Sequence, residues 1–139
     1  MDVLRSNAVC HTFRLSPKSD LRKSIQEFSK SHKIKAGSII TCVGSLEQLH
    51  VRFANREKGE LRKGFFEIVS LTGTFADSSC HLHIAVADTD GQTMGGHLLD
   101  NNIIYTTAEI VVAELVDIEF ARAIDNTYGY NELVIKHRD

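Results

Sequence analysis

The sequence predicts an α+β fold, an antiparallel β-sheet domain with one main covering helix over about residues 20–32. Several segments alternate apolar and polar residues, which is the two-residue period of a half-buried strand, whereas one segment carries apolar residues at helical spacing. The length of 139 residues is typical of one domain, and no internal repeat or low-complexity tract marks a boundary. We therefore expect a single domain spanning residues 1–139.

The first two predicted elements are a strand and the helix. Residues 9–15 alternate and predict a strand, which a break at Ser16-Pro17 ends. Ser19 resembles a helix N-cap, with Asp20 in the first turn. The helix of residues 20–32 is predicted because its apolar side chains share one face: Leu21, Ile25, Phe28 and His32.

The rest of the chain favours strands. Residues 38–45 are rich in β-branched side chains, with Gly44 at a bulge or turn, and residues 49–53 alternate. A polar loop over residues 55–63 precedes a strand at 65–75, and residues 133–135 predict a short terminal strand. Residues 103–120 fit either a helix or a strand, and their composition leaves both open.

A β-hairpin is predicted between residues 81 and 99, with its turn at Asp90-Gly91. A two-residue loop would put His97 opposite Ile84, on the apolar face. A three-residue loop, with Gly91 in the left-handed conformation, puts His97 opposite His83 and keeps both faces consistent. Since a slip of one residue moves every side chain to the other face, we favour the three-residue loop.

This register brings His81, His83 and His97 to one face of the hairpin, beside small neighbours. Three imidazoles with an open fourth position are typical of a zinc site, and neutral imidazole also suits other divalent transition metals. The alternative is that these histidines only form hydrogen bonds on a polar face. Candidate bases for a hydrolytic reaction come from elsewhere in the chain and are unranked: Glu67, Asp77 and Glu109.

Composition excludes several classes of protein. A net charge of −2 and a pI near 6.4 are unlike those of a free-standing nucleic-acid binder. The chain has no apolar run of membrane-spanning length, and its first 14 residues lack a signal-peptide stretch. Cys10, Cys42 and Cys80 are far apart, so we expect free thiols in the core and an intracellular, cytoplasmic location.

Two motifs carry a family resemblance that extends over nearly the whole chain. They are GFFEIVSLTGTF at residues 64–75 and HLHIAVADTDGQTMGGHL at residues 81–98. In this order and spacing they resemble the PPC (PCC) domain, which plants and prokaryotes share. The resemblance implies an antiparallel sheet with helical cover and a homotrimer, and it implies strand over about residues 106–116. The HLH…GGHL pattern resembles that of free-standing members, for which no enzymatic activity is agreed.

The resemblance also bears on partners. In plant members a GRFEIL stretch is implicated in contacts with transcription factors and with other copies of the domain; here Gly64, Phe66, Glu67 and Ile68 match it. Phe65 and Val69 depart from that stretch. The Arg-Gly-Arg-Pro AT-hook of the plant proteins does not occur in this chain, so direct DNA binding is not expected.

Three functions follow as hypotheses. The first is a homotrimeric binding and interaction module with a three-histidine site for zinc or another divalent transition metal. The second is a metal-dependent enzyme of unknown substrate. The third is a DNA-associated regulatory protein, for which a basic cluster along the helix and its exit is the candidate surface: Arg22, Lys23, Lys30, Lys33 and Lys35.

Overall fold

The computed structural model describes residues 3–139. It contains one helix, α1 (Leu21–Ser31), among eight strands within that range. The strands, in chain order, are β1 (Ala8–Leu15), β2 (Gly37–Arg52), β3 (Glu60–Ala76), β4 (Ser79–Ala87), β5 (Thr93–Leu98), β6 (Ile103–Leu115), β7 (Ile118–Asp125) and β8 (Tyr130–His137). The predicted α+β class is confirmed.

Six strands form one antiparallel sheet in the order β1-β6-β2-β3-β4-β5. The far end of β2 also pairs with β5, through Val51 opposite Leu98 and Arg52 opposite His97. This extra pairing closes β2, β3, β4 and β5 into a ring, so that β5 is not left as an open edge. Strands β7 and β8 form a separate two-stranded sheet.

The core lies between the inner face of the sheet and α1. Leu21 and Ile25 of the helix are fully buried against Leu82, Ile84 and other apolar side chains of the strands. Phe28 stacks on Phe13 of β1, with ring centroids 4.6 Å apart. Leu21, Ile25 and Phe28 therefore cover the sheet as the sequence predicts, whereas His32 is exposed at the C-cap and Ser29 is buried instead.

Asp20 is the N-cap of the helix, and the prediction of Ser19 in that role is wrong. The Asp20 carboxylate accepts the Lys23 amide at 3.1 Å and the Asn101 amide at 2.6 Å. The Ser19 carbonyl oxygen instead accepts the Ile104 amide at 2.9 Å, which holds Ser19 beside β6. The cap is thus displaced by one residue because tertiary pairing keeps Ser19 outside the helix.

Two strand predictions need correction. β2 runs without a break from Gly37 to Arg52, with irregular register near Gly44 and Leu46, where two strands were expected. Strand β3 begins at Glu60, inside the predicted polar loop, because its first residues pair with the second half of β2. Pairing partners distant in sequence explain both differences.

The segment left open between helix and strand is strand: β6 covers residues 103–115, and β7 begins at Ile118. This agrees with the extent that the family resemblance implies. The terminal strand is longer than predicted, because residues 130–137 pair along the whole of β7. Over residues 3–139, no helix has the length and apolarity that crossing a membrane requires.

All three cysteines are free, as expected. Burial raises the pKa of Cys42 to about 12 and that of Cys80 to about 11, because the charged thiolate is poorly solvated there. The prediction that the cysteines lie in the core is wrong for Cys10, which is exposed on β1. Strand β1 lies at the end of the sheet, where no further strand covers it.

Candidate metal centre

The β4–β5 hairpin has the predicted three-residue loop. The Asp88 amide donates to the Gln92 carbonyl oxygen at 3.0 Å, and Gly91 has a φ of 76°, in the left-handed region. The Asp88 carboxylate accepts the amides of Asp90 and Gln92 at 3.0 and 2.9 Å. Asp88 therefore stabilises the turn.

The register of the hairpin is also the predicted one. His83 lies opposite His97, and Ile84 lies opposite Gly96, with no bulge between β4 and β5. Leu82, Ile84 and Val86 point into the core. The alternate residues of β4, including His81 and His83, consequently point outward.

Gly95 and Gly96 permit the close approach of the strands that carry the site. A Cβ at position 95 would overlap the Ile84 carbonyl oxygen of β4. A Cβ at position 96 would lie 2.6 Å from the Arg52 carbonyl oxygen of β2. The pair therefore marks tight packing between strands on both sides of β5.

The three histidines converge on the outer face. Each offers one ring nitrogen, and these nitrogens all lie within 4.8 Å of one another. The Nε2 atoms of His81 and His83 are 3.3 Å apart. Ring centroids are separated by 5.1 Å for His81 and His83, 5.3 Å for His81 and His97, and 5.6 Å for His83 and His97.

The surroundings favour neutral imidazoles at two of these positions. Burial lowers the pKa of His97 to about 4, and the charges of His81 and Arg52 act in the same direction. Burial also lowers the pKa of His81, helped by His83 and Arg122 and opposed by Glu132. A neutral imidazole has an unprotonated ring nitrogen, which is the form that ligates a metal.

A row of four side chains crosses the strands at the site. Thr72 of β3 lies opposite His83, His83 lies opposite His97, and His97 lies opposite Arg52 of β2. Because residues directly opposite in a sheet share a face, the Arg52 side chain belongs to the surface that carries the histidines. This neighbour of His97 depends on the closure of the ring by β2 and β5.

The histidines open into a pocket of about 640 Å³. Helix α1 contributes Arg22 and Gln26 to its wall, and the end of β2 contributes Arg52. The β7–β8 sheet supplies the remaining charged wall, with Arg122 and Glu132 beside Tyr130 and Asn131. Sequence reasoning did not connect these residues with the histidines, because no local pattern links them to the hairpin.

The three candidate bases do not line this pocket. Glu67 lies opposite Ala87, four residues along β4 from His83, which is roughly 13 Å in a strand. Asp77 forms an ion pair with Lys35 at 2.8 Å, and Glu109 lies opposite Arg14 at the other side of the sheet. The carboxylate that the fold brings to the histidine pocket is Glu132.

The segment expected to contact partners is divided between two faces of β3. Phe66 and Ile68 are only 6% and 5% exposed and belong to the core. Glu67 is exposed, and Gly64 is partly buried. The two residues that depart from the plant pattern, Phe65 and Val69, are 56% and 58% exposed.

The basic cluster of the helix and its exit is partly neutralised. Arg22 forms an ion pair with Asp100 at 2.8 Å, and Lys35 forms one with Asp77 at 2.8 Å. Lys23, Lys30 and Lys33 are the remaining members of the cluster. Two of the five cations are thus already paired within the protein.

The chain resembles known proteins along most of its length. It is 34% identical to a hypothetical protein from Salmonella cholerae-suis, over 97% of this chain and 98% of that one, with a TM-score of 0.96. The metal-containing protein from Archaeoglobus fulgidus is 26% identical, with coverage of 96% and 99% and a TM-score of 0.83. A candidate DNA-binding protein from Bacteroides thetaiotaomicron is also 26% identical, with coverage of 90% and 91% and a TM-score of 0.79.

Two curated relatives, the bifunctional protein GlmU of two Synechococcus strains, are 40% and 39% identical to this chain over 126 residues. The match covers 91% of this chain and 20% of each relative. Because the chain spans about a fifth of the length of these relatives, their name carries no argument about its activity. Residues 5–116 match the model of the Plants and Prokaryotes Conserved (PCC) domain, and the chain belongs to this family.

Proposed function

We propose that this PCC domain binds one zinc ion, or another divalent transition metal, through His81, His83 and His97. The observation that carries the proposal is the convergence of their three ring nitrogens within 4.8 Å. In a tetrahedral site with metal–nitrogen bonds of ~2.0–2.1 Å, neighbouring ligand nitrogens are ~3.3 Å apart. The separation of 3.3 Å between the Nε2 atoms of His81 and His83 fits this geometry.

The surroundings of the three histidines support a site with an open position. Ala85 and Gly95 are the next residues on the outer face of the hairpin, and neither can fill the space above the imidazoles. No acidic or cysteine side chain of residues 3–139 belongs to the three-histidine cluster. Three nitrogen ligands with room for a fourth are typical of zinc sites that hold water or a ligand. The similarity to a metal-containing protein from Archaeoglobus fulgidus supports the same proposal.

Elemental analysis of untagged protein, purified without chelator, tests the proposal. We expect close to one equivalent of metal per chain, and no metal in the variant His81→Ala, His83→Ala, His97→Ala. His137→Ala is the matched control, because His137 is an exposed histidine at the end of β8 and should leave the metal content unchanged. Intact wild-type protein that holds no metal after supplementation with zinc would overturn the proposal.

A metal-dependent enzyme of unknown substrate is the second candidate function, and the position of Glu132 favours it. Glu132 lines the pocket into which the histidines open. A bound divalent cation would supply Lewis acidity at the open position. The Glu132 carboxylate, which lines this pocket, could hold or move a proton there. The variant Glu132→Gln should keep its metal while it loses any hydrolytic activity that a substrate screen detects.

We further propose that the domain assembles as a homotrimer, which the family resemblance implies. Exposed apolar side chains on the outer face of three adjacent strands support assembly through an apolar strip: Ile40, Val43, Phe65, Val69 and Tyr105. The rings of Phe65 and Tyr105 are in contact, with centroids 4.8 Å apart. Sedimentation equilibrium should give three times the chain mass of 15.5 kDa, whereas a strict monomer at micromolar concentration would contradict assembly.

Association with DNA is the third candidate, favoured by the similarity to a candidate DNA-binding protein from Bacteroides thetaiotaomicron. Because Arg22 and Lys35 already form ion pairs with acidic side chains, the basic cluster of the helix offers only a small surface to phosphates. Direct binding would show a steep decrease of affinity with salt, because phosphate contacts release counterions. A titration of labelled duplex DNA at two salt concentrations measures this slope, and a flat or absent response counts against direct binding.

A further inference from the structure

Two arginines without carboxylate partners face the histidine pocket. Arg22, which also lines it, forms an ion pair with Asp100. Arg52 and Arg122 form no ion pair with any acidic side chain of residues 3–139, and the Arg52 Nη1 donates only to the Arg56 carbonyl oxygen at 3.3 Å. Two guanidinium groups thus have most of their donors available at the pocket.

The two arginines reach the pocket from different elements of the fold. Arg52 stands opposite His97 at the end of β2, on the same face as the imidazole. Arg122 belongs to β7, in the separate two-stranded sheet, and lines the pocket from that side. Both arginines line the same pocket as His81, His83 and His97.

The pocket is large enough for more than a water molecule. Its volume of about 640 Å³ lies within the range of roughly 300–1,000 Å³ that small-molecule sites occupy. Gln26, Asn55 and Asn131 add amide groups to the wall. The charge of Glu132 opposes that of one arginine, so the pocket keeps a positive excess, which a bound divalent cation would increase.

We propose that this pocket binds a small oxyanion, a carboxylate or a phosphate, between Arg52 and Arg122 beside the three histidines. The inference rests on the proposed metal site in one respect: one oxygen of the ligand would occupy the open position of the metal. The planar fork of a guanidinium donates two parallel hydrogen bonds to an oxyanion, which a lone ammonium cannot do. Two such forks at one pocket favour a ligand with several oxygens.

The test uses the full chain loaded with cobalt(II), whose visible spectrum responds to a change of ligand at the metal. Inorganic phosphate and acetate are titrated separately at constant ionic strength. We expect a saturable spectral change whose affinity Arg52→Gln and Arg122→Gln each weaken about tenfold, which corresponds to about 1.4 kcal/mol, because each variant removes charge-assisted hydrogen bonds to the oxyanion. Arg14→Gln, on β1 at the far side of the sheet, is the matched control and should bind like wild type.

The outcomes separate the oxyanion proposal from the metal proposal. Cobalt that binds stoichiometrically, with a phosphate and acetate response equal in wild type and in the double arginine variant, overturns the oxyanion site and leaves the metal site intact. If cobalt does not bind, the metal proposal fails, and calorimetric titration of the metal-free protein decides the oxyanion site. Oxyanion binding to the metal-free protein that the double arginine variant loses supports the oxyanion site. If the metal-free wild type does not bind, or if the double variant binds equally well, the oxyanion site is overturned. Tighter binding of phosphate or of acetate identifies the class of ligand.

Discussion

Arg52 and His97 lie directly opposite each other where the end of β2 pairs with β5. This pairing closes four strands into a ring and places a guanidinium group beside one of three clustered imidazoles. On the other side of β5, His97 lies opposite His83. Strand β5 therefore holds the candidate metal ligands next to the candidate anion-binding residue Arg52. Their arrangement depends on the register in which β5 pairs with β4 and β2.

Zinc should stabilise the folded chain. A ligand that binds only the folded state adds RT ln(1 + [L]/Kd), which is about 2.7 kcal/mol at a free concentration 100-fold above Kd. Calorimetry should show a higher Tm with zinc and a reversal with chelator. The triple histidine-to-alanine variant should show no increase, and His137→Ala should show the full increase. An equal increase in the triple variant would place the bound zinc elsewhere.

Gly95→Ala should destabilise the protein by more than 3 kcal/mol, because the added methyl group would overlap the Ile84 carbonyl oxygen of the neighbouring strand. Urea unfolding measures the change in the free energy of unfolding. Thr93→Ala is the matched control on the same strand, since Thr93 is exposed and its truncation should change stability by less than about 0.5 kcal/mol. Similar stabilities of the two variants would show that β4 and β5 are not tightly packed at Gly95.

Asp20→Ala should cost about 1–2 kcal/mol of stability, because the Asp20 carboxylate accepts the Lys23 amide at the start of α1 and the Asn101 amide. Ser19→Ala should have a smaller effect, since Ser19 contributes its backbone carbonyl oxygen to the contact with Ile104. Denaturant unfolding of both variants provides the measurement. A larger loss for Ser19→Ala would reassign the cap to Ser19.

Thiol reagents should distinguish the three cysteines. At pH 8 the raised pKa values of about 12 for Cys42 and about 11 for Cys80 leave almost no thiolate at either position. Cys10 is exposed and should react first. Titration with a chromogenic disulfide should give one fast thiol in the native protein and three in denaturant. Cys10→Ser should abolish the fast phase, and a fast phase that survives would mean that Cys42 or Cys80 is accessible.

Local sequence patterns specify the α+β class, most of the buried face of the helix and the register of the histidine hairpin. These features depend on local periodicity: alternation in a strand, helical spacing, and a turn residue such as Gly91. In residues 81–99 only one register keeps the apolar side chains of both strands on the same face. That register places His83 opposite His97, as the structure has it. Composition leaves residues 103–120 open between helix and strand. The family resemblance implies strand over about residues 106–116, and the structure has β6 at residues 103–115.

Which charged residues surround the histidines depends on contacts between segments that are distant in sequence. Arg52 precedes the hairpin of residues 81–99 by 29 positions, and Arg122 follows it by 23. No local pattern spans these distances, and the two arginines meet the histidines through strand pairing and the placement of the β7–β8 sheet. The same long-range pairing extends β3 into the predicted loop and moves the helix cap from Ser19 to Asp20. Local periodicity specifies on which face of a strand or helix a side chain lies, whereas contacts between distant segments specify which residues pack against that face.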